Sequence, residues 1–447
     1  MTDWLRLSTL RDDARTRLWP MPVLALVIAV ALGIGLPQLD AALQDQLPQA
    51  LTTYLFGGGA GAARTVLNAI ATSLITVTSL TFSLTVVTLQ LASSQYSPRL
   101  LRTFTRDRFV HGTLALFLGS FVYALTVLRT IRTPEKSREG FVPQLSMTVA
   151  FALALGSVLG LVLFLAHLAR EIRVETILGN VHDDASGTIQ GVLPGRKVAL
   201  ASQQPRHPEE RDVRLLLAPA SGFLVGIDAE RLRDAVLGAD AVVVVDKTVG
   251  DPLVEGTPVA RAWSLPRHSR LSDDCLAALQ QCLPHALKTG FERTARQDVA
   301  FGLRQLTDVA VKALSPGIND PTTAVHALNH SAALLCELLR RELEPRIFHD
   351  DEGRTRVVLE QRSFTDLLDL AVAQPRIYGA EDPFVMRALL ALLQAVAWVA
   401  ERPGETAAVD AQLARVRHAI DHGDLDAAHR HELATLEGAV ADALRRT

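Results

Sequence analysis

The amino-acid sequence predicts a membrane α-helical protein with four transmembrane helices, followed by a small β-rich domain and an all-α C-terminal cytoplasmic domain. Hydrophobic residues make up 49% of the 447-residue chain. The mean hydropathy of +0.21 is too high for an ordinary soluble protein. Four apolar runs long enough to cross a bilayer lie before residue 170. After them the pattern changes to short β-like runs and then to amphipathic helices.

The four predicted spans cover about residues 18–36, 65–97, 109–128 and 145–168. Each is close to the roughly 20 helical residues that a bilayer core requires, or longer. The first follows an arginine-rich segment, as a signal peptide would, but no small-residue cleavage site comes after it. We therefore interpret it as a retained anchor within an N-terminal transmembrane domain of residues 1–170.

Lysine and arginine mark the cytoplasmic side of a membrane protein. Arginines are concentrated before the first span, after the second span and after the fourth. This distribution predicts a multi-pass protein of the cell inner (plasma) membrane with both termini cytoplasmic. The loop between the third and fourth spans disagrees, because it carries Arg129, Arg132, Lys136 and Arg138.

The remaining chain divides into three predicted parts. Residues 171–186 keep helical spacing and form a connector, and residues 187–265 contain short β-like runs separated by turn residues. Residues 271–447 read as amphipathic helices, of which "PFVMRALLALLQAVAWVAE" is the most apolar. Arg387 near the start of that run and Gln394 within it favour a buried core helix over a fifth span.

Composition excludes several classes of function. The net charge of −3 gives no reason to expect nucleic acid as a partner. The three cysteines fit neither a disulfide framework nor a zinc site. We find no phosphate-binding loop, no dinucleotide fingerprint and no nucleophile elbow. An enzyme is the least favoured class, and no cofactor is expected.

The second span is unusually rich in polar side chains. Plotted at 100° per residue, one group falls within about 40° of a single line along the helix. Asn68 and Gln90 stand out in this group, because one backbone carbonyl cannot satisfy an amide side chain. The group is either a helix-packing seam or a wall in contact with water. The predicted pore-lining residues are Thr65, Asn68, Thr72, Thr76, Ser79, Ser83, Gln90, Ser94 and Ser97.

No Asp, Glu, Lys or Arg lies within the core of any predicted span, which argues against coupled active transport. Four spans are too few to enclose a pore, so a pore would require self-association. Gly119 in the third span, and Gly156 and Gly160 in the fourth, permit close helix packing. The cations Arg99, Arg102 and Arg106 would then ring the inner mouth and favour an anion or a small polar solute.

Two stretches are more distinctive than the rest: "SLTFSLTVVTLQLASSQYSPRLLRTF" and "RTARQDVAFGLRQLTDVAVKALSPGINDPTTAVHAL". With the four spans and the "VGDPLVEGTPVA" hairpin, they make the chain resemble the bacterial membrane proteins grouped as domain of unknown function 2254. The resemblance covers nearly the whole chain. It supports the predicted architecture and implies no biochemical activity.

The stretch "SPGINDPTTA" predicts the end of one helix and the start of the next. Gly317 would adopt a left-handed C-terminal cap, Asp320 would cap the following helix, and Pro321 would occupy its first turn. This structural interpretation is the favoured one. Alternatively, the helix N-terminus and the preceding helix form a polar pocket or subunit contact, lined by Arg293, Asp298, Arg304, Gln305, Asp308, Asn319 and Asp320.

Two histidine pairs have the four-residue spacing of helical metal ligands: His326 with His330, and His418 with His422. Neither pair has a convincing third ligand in the sequence, so no metal is predicted.

These observations leave two hypotheses. The first is a homo-oligomeric inner-membrane channel or passive pore, lined by the second span and regulated by the cytoplasmic half. The second is a membrane-anchored receptor or scaffold whose cytoplasmic domains bind a ligand or protein partner. In both, the lipid bilayer is a partner.

Overall fold

The computed structural model describes residues 20–43, 56–95, 107–133, 141–196, 212–265 and 270–446. Side chains are described for all of these except residues 43 and 92–95. The chain divides into two compact units, Met1–Arg173 and Val174–Thr447. Each unit is described by itself.

The described part of the first unit contains four helices, which correspond to the four predicted spans. All four are long and apolar enough to cross a membrane. The described part of the unit contains helices α1 (Pro20–Leu43), α2 (Ala60–Gln95), α3 (Arg108–Leu128) and α4 (Gln144–Glu171).

Helix α3 lies at the centre of the first unit and contacts each of the other three helices. Its side chains Phe117, Tyr123 and Val127 are fully or almost fully buried. Small residues allow the close approach: a Cβ on Gly33 of α1 would lie 2.7 Å from Thr126 of α3. The apolar interior therefore forms around α3, while α1, α2 and α4 each keep an outward face.

Two helices start or end differently from the predicted spans. Helix α1 continues to Leu43, beyond the predicted end at residue 36, and includes Pro37 in its interior. Helix α2 begins at Ala60, five residues before the predicted start at residue 65. At about 1.5 Å per residue, the 36 residues of α2 extend on the order of 54 Å, which exceeds the hydrocarbon core.

The second unit combines helices with two small sheets. Its helices are α5 (Val174–Val192), α6 (Ala229–Gly238), α7 (Asp273–Ala286), α8 (Phe301–Ala313), α9 (Pro321–Leu339), α10 (Phe364–Tyr378), α11 (Pro383–Val399), α12 (Pro403–His422) and α13 (Ala427–Leu444). Its strands are β1 (Arg214–Leu217), β2 (Gly222–Ile227), β3 (Ala241–Val245), β4 (Pro252–Leu253), β5 (Pro258–Ser264), β6 (Leu287–Gly290), β7 (Arg346–His349) and β8 (Thr355–Leu359).

A five-stranded sheet has the order β1-β5-β3-β8-β7, and a three-stranded sheet has the order β4-β2-β6. In the larger sheet β3 pairs with β8 in parallel, with Val243 opposite Val357, and the other pairs are antiparallel. Every residue of β3 is buried. Such a fully apolar run is typical of a central strand covered on both faces.

The sheets differ from the predicted domain boundaries. Strands β6, β7 and β8 lie in residues 271–447, which the sequence predicts to be all-helical. Strands β6 and β8 pair with β2 and β3 of the predicted β-rich domain, and β7 pairs with β8. Helix α5 also continues to Val192, past the predicted end of the connector at residue 186. The reason is that β-pairing joins segments far apart in the chain, so the second unit is a single compact body.

Helix α11 is the buried core helix that the sequence predicts. It spans 17 residues, and Val385, Leu389, Leu393 and Val396 on it are fully buried. Its length falls short of a bilayer crossing. It also carries a charged side chain, Arg387, which pairs with Glu432 of the neighbouring helix α13.

The turn between α8 and α9 confirms one predicted cap and corrects another. Asp320 accepts a hydrogen bond from the backbone N–H of Thr323, and Pro321 begins α9. Gly317 is not left-handed; Asn319 takes that conformation with a φ of 49°. Asparagine tolerates it because its short polar side chain bonds locally.

Candidate functional site

The predicted polar stripe of α2 lies on the outward face of the four-helix unit. Ala63, Leu67, Ala71 and Leu74 are buried against the other helices, and the stripe runs along the opposite side of α2. Every stripe residue whose side chain is described is exposed. These residues are Thr65, Asn68, Thr72, Thr76, Ser79, Ser83 and Gln90.

A second row of threonines on α2 faces the interior. The hydroxyl of Thr78 donates to the Leu74 carbonyl over 2.7 Å, and that of Thr88 donates to the Leu84 carbonyl over 2.9 Å. Such bonds to the preceding turn reduce the cost of burying a hydroxyl. Thr65 and Thr76 of the outward stripe make the same kind of bond, so the two rows differ in burial rather than in hydrogen bonding.

The amides of the stripe need a partner that the described part of the chain does not supply. Neither Asn68 nor Gln90 has a side-chain hydrogen bond to a described residue, and both side chains are exposed. An unpaired amide in hydrocarbon costs about 1–3 kcal/mol or more. Contact with water or with another protein surface would remove this cost. Val86 interrupts the stripe between Ser83 and Gln90, since it is exposed on the same side.

The outward faces of α1 and α4 have the opposite character. On α4, Phe151, Leu155 and Val158 are each more than 60% exposed, and its Ser146 and Ser157 side chains are buried against other helices. Helix α1 likewise exposes Leu24, Val27 and further aliphatic side chains. Apolar outward faces fit acyl chains. Helix α2 also exposes apolar side chains such as Leu80 and Phe82, but it differs from α1 and α4 in the polar row that runs between these side chains.

Five predicted site positions cannot be placed. The side chain of Ser94 is outside the described residues, and so are Ser97 and the mouth arginines Arg99, Arg102 and Arg106. The cationic ring therefore stays a prediction.

A buried carboxylate, which the sequence analysis missed, ties the first helix to the fourth. Asp40 of α1 is 6% exposed. One of its oxygens accepts from the Leu145 N–H over 2.9 Å, and the other accepts from the N–H and hydroxyl of Ser146 over 2.9 and 2.7 Å. The N-terminus of α4 is thus capped from another helix, where its dipole favours a negative charge. The sequence feature that could have indicated this contact is Asp40 itself, an acidic residue four positions after the predicted end of the first span at residue 36.

A second polar tie links α3 to α4. Asp107 caps the start of α3 by accepting from the Phe109 N–H over 2.8 Å. Its other oxygen lies 2.5 Å from Nε2 of His167, near the end of α4. Two pairs of helices are therefore held by charged groups at their ends, and the apolar stretch between these groups stays uncharged.

In the second unit, the seven residues of the alternative polar pocket do not form one site. Arg293 and Asp298 form an ion pair of 2.7 Å, and Arg304 and Asp308 form a separate one of 2.9 Å on α8. Gln305 is buried in the face of α8 that packs inside the unit. The remaining two residues, Asn319 and Asp320, belong to the turn before α9.

Asp298 is the most buried of these carboxylates. Burial raises its pKa, while Arg293, Arg362 and the Ala300 N–H act in the opposite direction. Space around it is tight, since a Cβ on Gly250 would lie 2.3 Å from an Asp298 oxygen. Gly250 has a φ of +98°, so both the backbone conformation and the close approach require glycine there.

The Arg293–Asp298 pair adjoins a cavity of about 500 Å³ in the second unit. Helix α5 contributes Gly187 and Gly191 to its wall, where a Cβ would meet nothing within 4 Å. Across the cavity, Arg362 donates to Asp251 over 2.5 Å, and Asp251 accepts from the N–H and hydroxyl of Thr248. Further lining residues of both charges are Asp183, Asp184, Arg296, Arg346 and Glu360.

A second cavity of about 340 Å³ lies between α5 and α9 and is lined by three histidines, His182, His326 and His330. Burial lowers the pKa of His330, and the nearby His182 and His326 lower it further, while Asp183 opposes them. The helical spacing in the sequence pairs His326 with His330 alone, because His182 comes from a different helix.

Four helices long and apolar enough to cross a membrane, exposed apolar surfaces on α1 and α4, and charges confined to the helix ends are the features of a membrane protein. Within that class, the chain belongs to the family described as "Predicted membrane protein (DUF2254)", whose profile matches residues 15–395. The resemblance that the sequence motifs indicate is thereby confirmed.

Two mycobacterial relatives match nearly the whole chain. The chain is similar to uncharacterized proteins of Mycobacterium bovis and Mycobacterium tuberculosis, with 34% identity over 432 residues. The matched region covers 95% of this chain and 80% of each relative. No solved structure matches the chain.

Proposed function

We propose that this protein forms a passive pathway across the membrane, lined by the polar stripe of α2 where several copies meet around an axis. The observation that carries the proposal is the exposure of the stripe on the outward face of the unit, with two amides that have no partner among the described residues. A single four-helix unit cannot enclose such a face. Copies arranged with α2 inward would give these amides water and would leave α1 and α4 to lipid.

The arginine distribution supports an orientation of the protein in the membrane, and the arginines after the second span support a class of permeant. We propose an inner-membrane location with both termini cytoplasmic, because arginines follow the second and fourth spans. Arg99, Arg102 and Arg106 would then attract anions or bind small polar solutes at the inner mouth. The uncharged middle of the helices suits passive flow rather than coupled transport.

Accessibility of introduced cysteines tests whether water contacts the stripe. In a variant with Cys275, Cys282 and Cys336 replaced by serine, cysteine is placed at Thr76, Ser79 or Ser83. A membrane-impermeant thiol reagent should modify these positions in proteoliposomes. Cysteine at Leu155 or Val158 on α4 is the matched control and should stay unmodified. Equal protection of both sets would overturn the proposed water-filled pathway.

Flux measurements test permeation directly. Proteoliposomes should release a small anion or a polar solute faster than empty vesicles, and Gln90→Leu or Ser83→Leu should reduce that release. Leu155→Ile on α4 is the control and should leave the rate unchanged. Vesicles with no release for any ion or solute, at any applied potential, would refute the pathway.

A second candidate function is a membrane-anchored receptor, favoured by the 500 Å³ cavity of the second unit. Its mixture of guanidinium and carboxylate groups would suit a small polar ligand carrying both charges. Arg362→Ala removes one guanidinium group from the lining of the cavity. It should weaken binding of such a ligand without changing the accessibility of cysteines introduced in α2. That separation distinguishes the two functions.

A further inference from the structure

Two helices of the second unit bring three imidazole rings to one cavity. His182 lies on α5, and His326 and His330 lie on α9. The rings of His182 and His330 have centroids 5.2 Å apart. The cavity has a volume of about 340 Å³ and is also lined by Glu175, Leu178, Asn329 and Ala333.

Helical spacing explains why these residues meet. His326 and His330 are one turn apart and project from the same face of α9. Leu178 and His182 are likewise one turn apart on α5, and α5 packs against α9. The two faces therefore present three imidazoles to the same space, as residues separated by four on a helix do in zinc sites.

The three rings have no hydrogen-bond partner among the residues that the structure describes. Nδ1 of His182 is also inaccessible to solvent and unpaired within that part of the chain. A buried nitrogen without a partner is costly and calls for an explanation, such as a bound water or ion.

The separation of the rings agrees with metal ligation. Zinc binds histidine nitrogen at about 2.0–2.1 Å in a tetrahedral arrangement, which places two ligating rings with their centres about 5 Å apart. His182 and His330 already have this separation, and His326 is one turn away on the same helix face. By contrast, the rings of His418 and His422 on α12 are 4.1 Å apart, and His422 Nδ1 bonds the His418 carbonyl.

We propose that His182, His326 and His330 form a binding site for a divalent transition metal of the zinc class, with water or Glu175 as the fourth ligand. Three protein ligands and one open position are a common zinc arrangement. The donor nitrogens have not converged in the structure, where no three His, Cys, Asp or Glu side chains among the described residues are arranged around a metal position. Metal binding would turn the unbonded rings inward and join α5 to α9.

Metal titration of the full chain in detergent micelles, with any affinity tag removed, tests the site. We expect one Zn²⁺ per chain by competition with a chromogenic chelator, and a tetrahedral visible spectrum with Co²⁺. His182→Ala, His326→Ala and His330→Ala should each weaken Zn²⁺ binding by about tenfold or more. The double variant His418→Ala with His422→Ala is the matched control and should bind as tightly as the parent.

A thermal measurement separates loss of binding from loss of folding. Zn²⁺ should raise the Tm of the parent protein, because a ligand that binds only the folded state stabilises it. His326→Asn should keep the metal-free Tm and lose the increase. Absence of stoichiometric binding would overturn the site, and so would binding that survives the triple alanine variant. The metal site would also be overturned if the three histidines take up protons between pH 5 and 8 but no metal binds.

Discussion

The outward faces of α2 and α4 belong to the same four-helix unit, but they have opposite chemistry. Helix α4 exposes Phe151, Leu155, Val158 and Leu159, and it buries its serines against its neighbours. Helix α2 exposes hydroxyls and amides along one line, which Val86 interrupts and which exposed apolar side chains such as Leu80 and Phe82 flank. Both helices are long and apolar enough on average to cross a membrane. The two outward faces differ in where the polar groups lie around each helix.

The comparison also separates two uses of polar groups in a membrane. Inside the unit, Asp40 of α1 and Tyr123 of α3 each bond Ser146 of α4, and these bonds between helices stabilise the packing. On the outward face of α2, the described side chains bond at most their own helix: Thr76 donates to the Thr72 carbonyl over 2.9 Å. The inward groups stabilise the unit, whereas the outward groups set the polarity of its exposed surface.

The largest effect should come from placing a charge on each face. Leu159→Lys puts an ammonium where α4 faces lipid, and a lysine at a helix centre costs about 2.5–3.5 kcal/mol for insertion. Ser79→Lys puts the same group on the α2 stripe, where contact with water would remove most of that cost. Folded yield from membranes should fall steeply for Leu159→Lys only. Equal losses would mean that α2 faces lipid as α4 does.

A smaller effect should follow from removing polar groups that stabilise the unit. Asp40→Ala leaves the Leu145 and Ser146 donors unpaired at the start of α4, and we expect a loss of about 2–4 kcal/mol in the free energy of unfolding. Ser83→Ala should change it by less than about 0.5 kcal/mol. Thermal unfolding in micelles measures both. Asp40→Asn keeps one acceptor oxygen and should fall between them, whereas a stable Asp40→Ala would show that the tie is dispensable.

The smallest effect concerns two glycines on α4. A Cβ on Gly156 meets nothing within 4 Å, while a Cβ on Gly160 lies 3.2 Å from a Leu116 methyl carbon. Alanine in a helix is more stable than glycine by about 0.5–1 kcal/mol. Gly156→Ala should show this gain in the unfolding free energy, and Gly160→Ala should lose part of it to crowding. A destabilising Gly156→Ala would place another protein surface on this face.

The spans and the buried helix α11 could be predicted because composition over about 20 residues decides between lipid, core and water. The sequence could not predict whether the polar stripe of α2 faces the other helices or points outward. A period of 3.6 residues places Thr65 to Gln90 on one line, but it does not say which side of α2 packs against α3. That choice depends on which small residues, such as Ala63 and Ala71, fit a neighbouring helix.

Contacts between distant segments account for what the sequence did not predict. Strands β7 and β8 are four and five residues long and lie between helices, so no alternation was long enough to reveal them. His182 gave no signal either, because its partners His326 and His330 lie on another helix. Asp40 was visible in the sequence, but its role depends on the start of α4, more than 100 residues later.

The parallel pairing of β3 with β8 has a consequence for synthesis on the ribosome. The chain makes β3 at Ala241–Val245 and β8 at Thr355–Leu359, about 110 residues apart, which corresponds to on the order of ten seconds of translation. During that interval one edge of a wholly aliphatic strand has no neighbour and can recruit the wrong strand from another nascent chain. A chaperone that shields this edge until translation ends would therefore raise the yield of the second unit.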